Sequence, residues 1–267
     1  MHSIVCVKPV PDPSRFDKLR LDPETMLLRR DAAPAVINPL DRGALEAAFE
    51  LKRRFGGAVS ALTMAAPNAE EQLREALALG CDRAYLLTDK AFAGADTLAT
   101  ARVLQAAVRK IGRFDLLFCG GYSADGSTGQ VGPQLAELLD IPDLDFVAKL
   151  ELKRGRVRAT CKLEDGEAVR ETGLPALVTI APQSGAPRLT PMHGIHGAVR
   201  RKITVWSARD LRLDPKTVGL AGSPTRMLNI FTPPSNRKGE ILQGTADEAA
   251  GELIEKLGLT TIRGGSR

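Results

Sequence analysis

Hydrophobic positions in the first 140 residues alternate between two periods. Short aliphatic runs at residues 3–7, 58–64, 84–88 and 116–119 predict buried strands. Between them, residues 40–55, 69–79, 96–110 and 130–139 space their apolar positions three and four apart and predict helices. The punctuation agrees with this division. Asn38 and Pro39 supply a cap and a first turn, Gly56-Gly57 and Gly80 close the first two helices, and Asp96 or Thr97 opens the third. A hairpin is expected around residues 26–30. Strand alternating with helix is the signature of a doubly wound, mostly parallel α/β sheet covered on both faces.

From about residue 145 the period becomes two. Runs at 146–152, 157–163, 168–172 and 176–180, with a tight turn at Lys153-Arg154-Gly155-Arg156, predict a small antiparallel addition. Beyond Pro187, proline, glycine and basic residues dominate, and an apolar stripe returns only at 246–257. Residues 219–234 are therefore expected to form an extended arm anchored by the last helix and docked on a partner. The expected organisation is an α/β domain over 1–186, with the antiparallel extension from about 145, followed by a docking loop, arm and terminal helix over 187–267.

Composition narrows the class. At 267 residues, 43% hydrophobic and 26% charged, the chain is long enough to bury a real core and is not low-complexity. Aromatics at 4% fit helices on a sheet better than an aromatic-rich β-sandwich. Charge interrupts every apolar run well short of the roughly 18 to 20 residues a membrane span needs, and there is no signal-peptide core at the start. A cytoplasmic protein without membrane insertion is the expectation. The net charge of +5 is dispersed and carries no nucleic-acid-binding motif. Cys6, Cys81, Cys119 and Cys161 are scattered, and His193 and His196 lack partners, so neither a disulfide framework nor a metal site is suggested.

In open α/β sheets, ligands bind beyond the carboxyl ends of the strands. The richest such position is the loop that follows the strand ending at Cys119: Gly120, Gly121, Tyr122, Ser123, Ala124, Asp125, Gly126, Ser127, Thr128, Gly129, Gln130, Val131. Glycines let a backbone approach an oxyanion, Ser127 and Thr128 offer hydroxyls, and the following helix offers unpaired N–H groups. An ordinary glycine-rich turn has the same composition. The loop lacks the Gly-Lys-Ser/Thr of a P-loop, and no GxGxxG follows the first strand. Asn38 and Asp41 can read an adenine or ribose edge, or simply open a helix. No nucleophile elbow, carboxylate pair or reactive cysteine appears, so any redox chemistry must come from a cofactor.

Several stretches together resemble the β subunit of electron transfer flavoprotein: CVKPVPD (6–12), INPLD (37–41), LREALALGCDRAYLLTD (73–89), AGADTLATA (93–101), CGGYSADGSTGQVGPQLAELL (119–139), LPALVTI (174–180) and PRLTPMHGIHGAVRRK (187–202). The resemblance implies a Rossmann-like, adenine nucleotide hydrolase-like fold in a heterodimer with an α subunit. It is greatest to the electron-bifurcating branch, in AFAGADTLATA (91–101), VWSARDL (205–211), VGLAGSPTRMLNIFTPP (218–234) and RKGEILQGTADEAAGELIEKL (237–257). That branch implies FAD in the crevice, NADH as electron donor, and an acyl-CoA or related dehydrogenase plus ferredoxin or flavodoxin as acceptors. The simple shuttle of the same family implies structural AMP instead. A stand-alone nucleotide-binding sensor of the universal stress protein type shares the sheet.

The resemblance places cofactor contacts on Cys6 through its backbone, Asn38, Asp41, Ala65, Cys119, Gly120, Ser123, Asp125, Gly126, Ser127, Thr128, Gly129, Gln130 and Val131. Asp96 and Thr97 fall toward the isoalloxazine end. The dehydrogenase-docking segment aligns with 187–202, with Met192 as its apolar anchor and Arg200 and Arg201 as a basic rim. No catalytic residue and no metal ligand is implied.

Overall fold

The computed structural model describes residues 1–18, 20–21, 28–29, 34–182, 188–226, 228 and 239–259. It is α/β, as the alternating periods predict. Strands β1 (His2–Cys6), β6 (Ala58–Met64), β7 (Arg83–Leu87) and β8 (Leu116–Gly120) alternate with helices α1 (Pro39–Phe55), α2 (Glu70–Leu79), α3 (Thr97–Ile111) and α4 (Val131–Leu139). Before α1 lie the short strands β2 (Pro9–Pro11), β3 (Arg20–Leu21), β4 (Leu28–Arg29) and β5 (Ala35–Ile37). Of the hairpin expected at 26–30, Leu28–Arg29 pairs antiparallel with Arg20–Leu21, and the rest lies outside the described residues.

The strand alternation sorts two cores onto the two faces of the sheet. Val5, Leu116, Phe118 and Val178 point toward Leu45, Phe49, Leu73 and Leu77 of α1 and α2. Ile4, Leu62, Leu117 and Leu177 point toward Val103, Leu104, Ala107 and Leu135 of α3 and α4. Burial on both faces explains why these strands read as continuous apolar runs rather than alternating ones.

Later strands are β9 (Asp143–Lys153), β10 (Arg156–Lys162), β11 (Glu167–Gly173), β12 (Ala176–Ile180) and β13 (Ile203–Trp206). The full order is β11-β10-β9-β12-β8-β1-β6-β7-β13. Two expectations change here. Residues 176–180 do not join an antiparallel addition: β12 pairs parallel to both β8 and β9, and its five residues are all buried. Antiparallel pairing in this sheet is confined to β9 with β10 and β10 with β11, so β10 runs against the other strands, and the three continue the same sheet.

The region after 187 also departs from expectation. α5 (Met192–Val199) lies on α2, where the Arg74 guanidinium collects the carbonyls of Ala198 (2.9 Å) and Arg201 (3.0 Å). β13 then pairs parallel with β7 and completes the sheet. Ala208, Leu211 and Val218 are buried in the core shared with α3. The start of the expected arm folds back too: Leu220 N–H donates to Ala93 O, and Ser223 is buried. The boundary expected at 186/187 is therefore not where the chain divides. Described residues up to Leu228 form one compact unit, and those from 239 to 259 belong to a second. The second contains α6 (Ala246–Lys256), whose Thr245 and Glu248 form a capping box. Of the arm, residues 227 and 229–234 lie outside the described residues.

Candidate functional site

Chain order leaves β1 toward β6 and β7 on one side and resumes with β8 and β12 on the other. The sheet therefore has its topological switch point between β1 and β8, where a crevice must open beyond the strand ends. Cys6 ends β1 and Cys119 precedes the last residue of β8, so both flank this point. Its hydrogen bond with Cys6, and then burial, raise the Cys119 thiol well above its usual range. It is a packing group, not a nucleophile.

Asp41 joins the two strands. Its Oδ2 accepts from Lys8 N–H at 2.7 Å and its Oδ1 from Gly120 N–H at 2.9 Å. Burial pushes its pKa up to about 6, against the opposing pull of those N–H groups. Gly120 is required here because a Cβ would lie 2.4 Å from Asp41 Oδ1. Asn38, 1% exposed, grips the loop from the same helix start: Nδ2 donates to Tyr122 O (2.9 Å) and Oδ1 accepts from Ala124 N–H (3.1 Å). Both side chains thus shape the loop from beneath.

The loop turns back at 123–127. Ser127 N–H donates to Ser123 O at 2.8 Å, and Ser127 accepts the positive φ of 54° that this turn demands. Ser123 Oγ accepts from Gly126 N–H (3.3 Å) and from Lys8 Nζ (3.1 Å). Lys8 also pairs with Asp125 at 2.6 Å, the Asp125 side chain being 3% exposed. Asp125 is thus held under the Lys8 ammonium, while Gly126, Ser127, Thr128 and Gln130 are exposed along the rim. Gly129 takes φ +66° just before α4. The N–H groups of Val131 and Gly132, in the first turn of α4, have no carbonyl four residues back within the helix.

The remaining predicted positions separate into two sets. Ala65 follows the last residue of β6, and its N–H is taken by Leu87 O at 3.1 Å. Thr97 Oγ1 donates to Gln130 Oε1 at 3.2 Å, bringing the start of α3 to the loop. Asp96 is not turned to that contact. Its carboxylate caps α3 through Ala99 N–H (2.9 Å) and holds Thr225 N–H (3.0 Å), and its own N–H donates to Ser223 Oγ (2.8 Å). These backbone bonds hold its pKa below the usual carboxylate range although burial opposes them as the largest single effect. Away from the crevice, Met192 is 82% exposed and Arg200 is exposed, whereas the Arg201 guanidinium donates to Cys81 O at 2.6 Å. Among the described residues no cluster of three His, Cys, Asp or Glu is placed to hold a metal ion, and no helix is long and apolar enough to cross a membrane.

Lys8 and Phe146 join the site without having been singled out from sequence. The first stands in the 6–12 stretch that follows β1, which was its available signal. The second reaches the loop from β9 and left no signal in the pattern.

A doubly wound α/β protein with a glycine loop and a lysine at its switch point belongs to the class that receives anionic ligands there. The family described as "Electron transfer flavoprotein domain" matches residues 25–211. The chain is 43% identical to the electron transfer flavoprotein subunit beta of Thermoanaerobacterium thermosaccharolyticum, over 96% of this chain and 98% of that one. It is 42% identical to protein FixA of Bradyrhizobium diazoefficiens (96% and 91% covered). It is 40% identical to the caffeyl-CoA reductase-Etf complex subunit CarD of Acetobacterium woodii (96% and 98%). The chain belongs to the electron transfer flavoprotein family, as a β subunit.

Proposed function

We propose that this β subunit holds FAD in the crevice between β1 and β8 and, with an α subunit, takes electrons from NADH toward an acyl-CoA-type dehydrogenase and toward ferredoxin or flavodoxin. The observation that carries the reading is the loop 120–131, closed by Asn38 and Asp41 and faced by Lys8 Nζ. The donor set fits the diphosphate of an adenine dinucleotide: glycine backbone that approaches closely, two exposed hydroxyls, a helix start and one ammonium. The 40% identity to a subunit of a caffeyl-CoA reductase-Etf complex supports the dehydrogenase side of the reading.

When bound, FAD supplies a two-electron acceptor for the hydride of NADH and one-electron transfer onward. The chain's own residues bind and orient. Lys8, Ser127 and Thr128 would hold the phosphates, the N–H groups of Val131 and Gly132 would add positive dipole, and Asn38 and Asp41 hold the loop in register. Thr97 and Gln130, joined at 3.2 Å, stand where α3 meets the loop and would hold the isoalloxazine end of the group. Exposed Met192 at the start of α5 is the docking anchor for the dehydrogenase, with exposed Arg200 just past the helix's other end.

The family's second form, a simple shuttle with AMP in this crevice, uses the same loop. Acid extraction and chromatography of the heterodimer coexpressed with its α subunit separates the two. Two FAD per heterodimer, with NADH bleaching the flavin, is the expected result. One FAD and one AMP would instead make this subunit a scaffold and docking module.

A further inference from the structure

Phe146 adopts a backbone geometry that bulky residues rarely take. Its φ is +48°, in the left-handed region where a Cβ crowds the following carbonyl. The cause is a bulge. β12 pairs Val178 with Leu144 and Ile180 with Val147, so Asp145 and Phe146 together face the single residue Thr179. Displaced from the ladder, Phe146 N–H donates to Thr179 Oγ1 at 2.9 Å, and that hydroxyl donates to Asp145 Oδ1 at 3.1 Å. Strain of this kind persists only where its surroundings over-determine it.

The bulge re-aims the side chain. A Cβ on Gly121 would lie 3.0 Å from Phe146 Cε1 and 3.2 Å from Cδ1, and one on Gly129 would lie 3.9 Å from Cζ. The same Cβ on Gly129 would be 3.1 Å from Gly121 O, so the two ends of the loop close on each other beside the ring. Gly121 N–H is anchored on Ile180 O at 2.8 Å, which fixes the near end to β12. Core filling does not account for this placement, because Phe146 belongs to neither of the two hydrophobic clusters that flank the sheet.

We infer that Phe146 is a positioning residue for the nucleotide site: its ring, aimed by the β9 bulge, braces loop 121–129 and sets the place of the loop's amides and hydroxyls against a bound phosphate. The inference rests on the nucleotide reading above and adds the part that makes the loop rigid before ligand arrives. A glycine loop without such a support is free to sample many conformations, and the ordering would then weigh against binding.

Phe146→Ala and Phe146→Leu in the full chain, with its α subunit, test this through two readouts. Amide hydrogen exchange read without ligand is expected to speed up by about tenfold or more in the 121–129 loop of Phe146→Ala, with β8 and α4 unchanged. Leu fills part of the volume and is expected to fall between Ala and wild type, which keeps the test valid if Ala folds poorly. Affinity for AMP and for FAD, measured by calorimetry, is expected to fall about tenfold in Phe146→Ala. Loop exchange equal to wild type in both variants overturns the brace, whatever the wild type binds. Wild-type protein that binds neither nucleotide overturns the nucleotide reading, and with it the functional half of this inference. Faster loop exchange with unchanged affinity overturns the positioning role.

Discussion

Two side chains at the crevice decide most at the scale of single residues. The Lys8 ammonium faces the loop, bonded to Ser123 and Asp125. A charge-assisted contact contributes about 1.5–3 kcal/mol. Lys8→Ala is therefore expected to weaken adenine-nucleotide binding by about tenfold to a hundredfold and to flatten its salt dependence, with Lys8→Arg restoring most of both. Calorimetry at two ionic strengths checks it, and unchanged affinity in Lys8→Ala would remove the residue from the site. Asp41 carries the pH dependence. Burial raises its pKa from 3.8 to about 6, and burial with the Asp143 hydrogen bond does the same for Asp145. A folded-state pKa above the unfolded one favours the protonated fold, so this stability is fully present below about pH 4 and is lost as pH rises through about 6. Asp41→Asn is expected to flatten that slope while lowering stability throughout, since an amide presents N–H to one of two backbone N–H groups that need an acceptor. Denaturant unfolding between pH 4 and pH 7 checks the sign. From sequence, Asn38 and Asp41 were legible as either helix-start residues or ligand contacts; in the structure they stand at the helix start, but the Asn38 side chain makes no cap bond there, and both reach 79 to 86 positions along the chain to hold the loop. No local pattern encodes a contact of that span.

Elements were read well where burial is two-sided and periodic. The strand at Ala58–Met64 and the one at Ala176–Ile180 have the predicted bounds, but only pairing shows that the second runs parallel in the middle of the sheet. Direction is not written in a run of apolar residues; it is set by where the chain comes from. α5 shows the same gap. Its glycines and the Pro191 before it look like an exposed loop, yet Gly194 lets it lie flat on α2, where a Cβ would stand 2.1 Å from Ala78 O. Gly194→Ala is accordingly expected to cost about 1–3 kcal/mol by forcing the two helices apart. A lowered thermal midpoint with nucleotide affinity unchanged is the expected pair of results, because none of the crevice residues lies on α5. Loss of dehydrogenase coupling in the same variant would place Met192, at the start of that helix, in the docking surface.

For the whole molecule, the sheet closes only after residue 206. β13 covers the outer edge of β7, and Trp206 stacks near Tyr85 at 4.9 Å with Lys110 over its ring at 4.6 Å. A chain ending at Leu228 is therefore expected to unfold cooperatively with a midpoint near that of the full chain, whereas one ending at 186 is expected to lose it. Copurification with the α subunit then reports on the second unit: its loss in the 1–228 chain is the expected outcome, and full retention would sink the expectation that the segment after 228, α6 included, docks on that partner.

The sequence by itself determined the class, the positions of the central strands and helices, the glycine loop and the family, because each follows from local periodicity or from contiguous residues whose order is the signal. The tertiary structure alone decided that β12 is parallel, that β13 and α5 belong to the sheet unit, that Lys8 meets the loop, and that Phe146 is turned onto it. These depend on pairing register and on residues tens to more than a hundred positions apart, and such contacts exist only once the backbone has closed on itself.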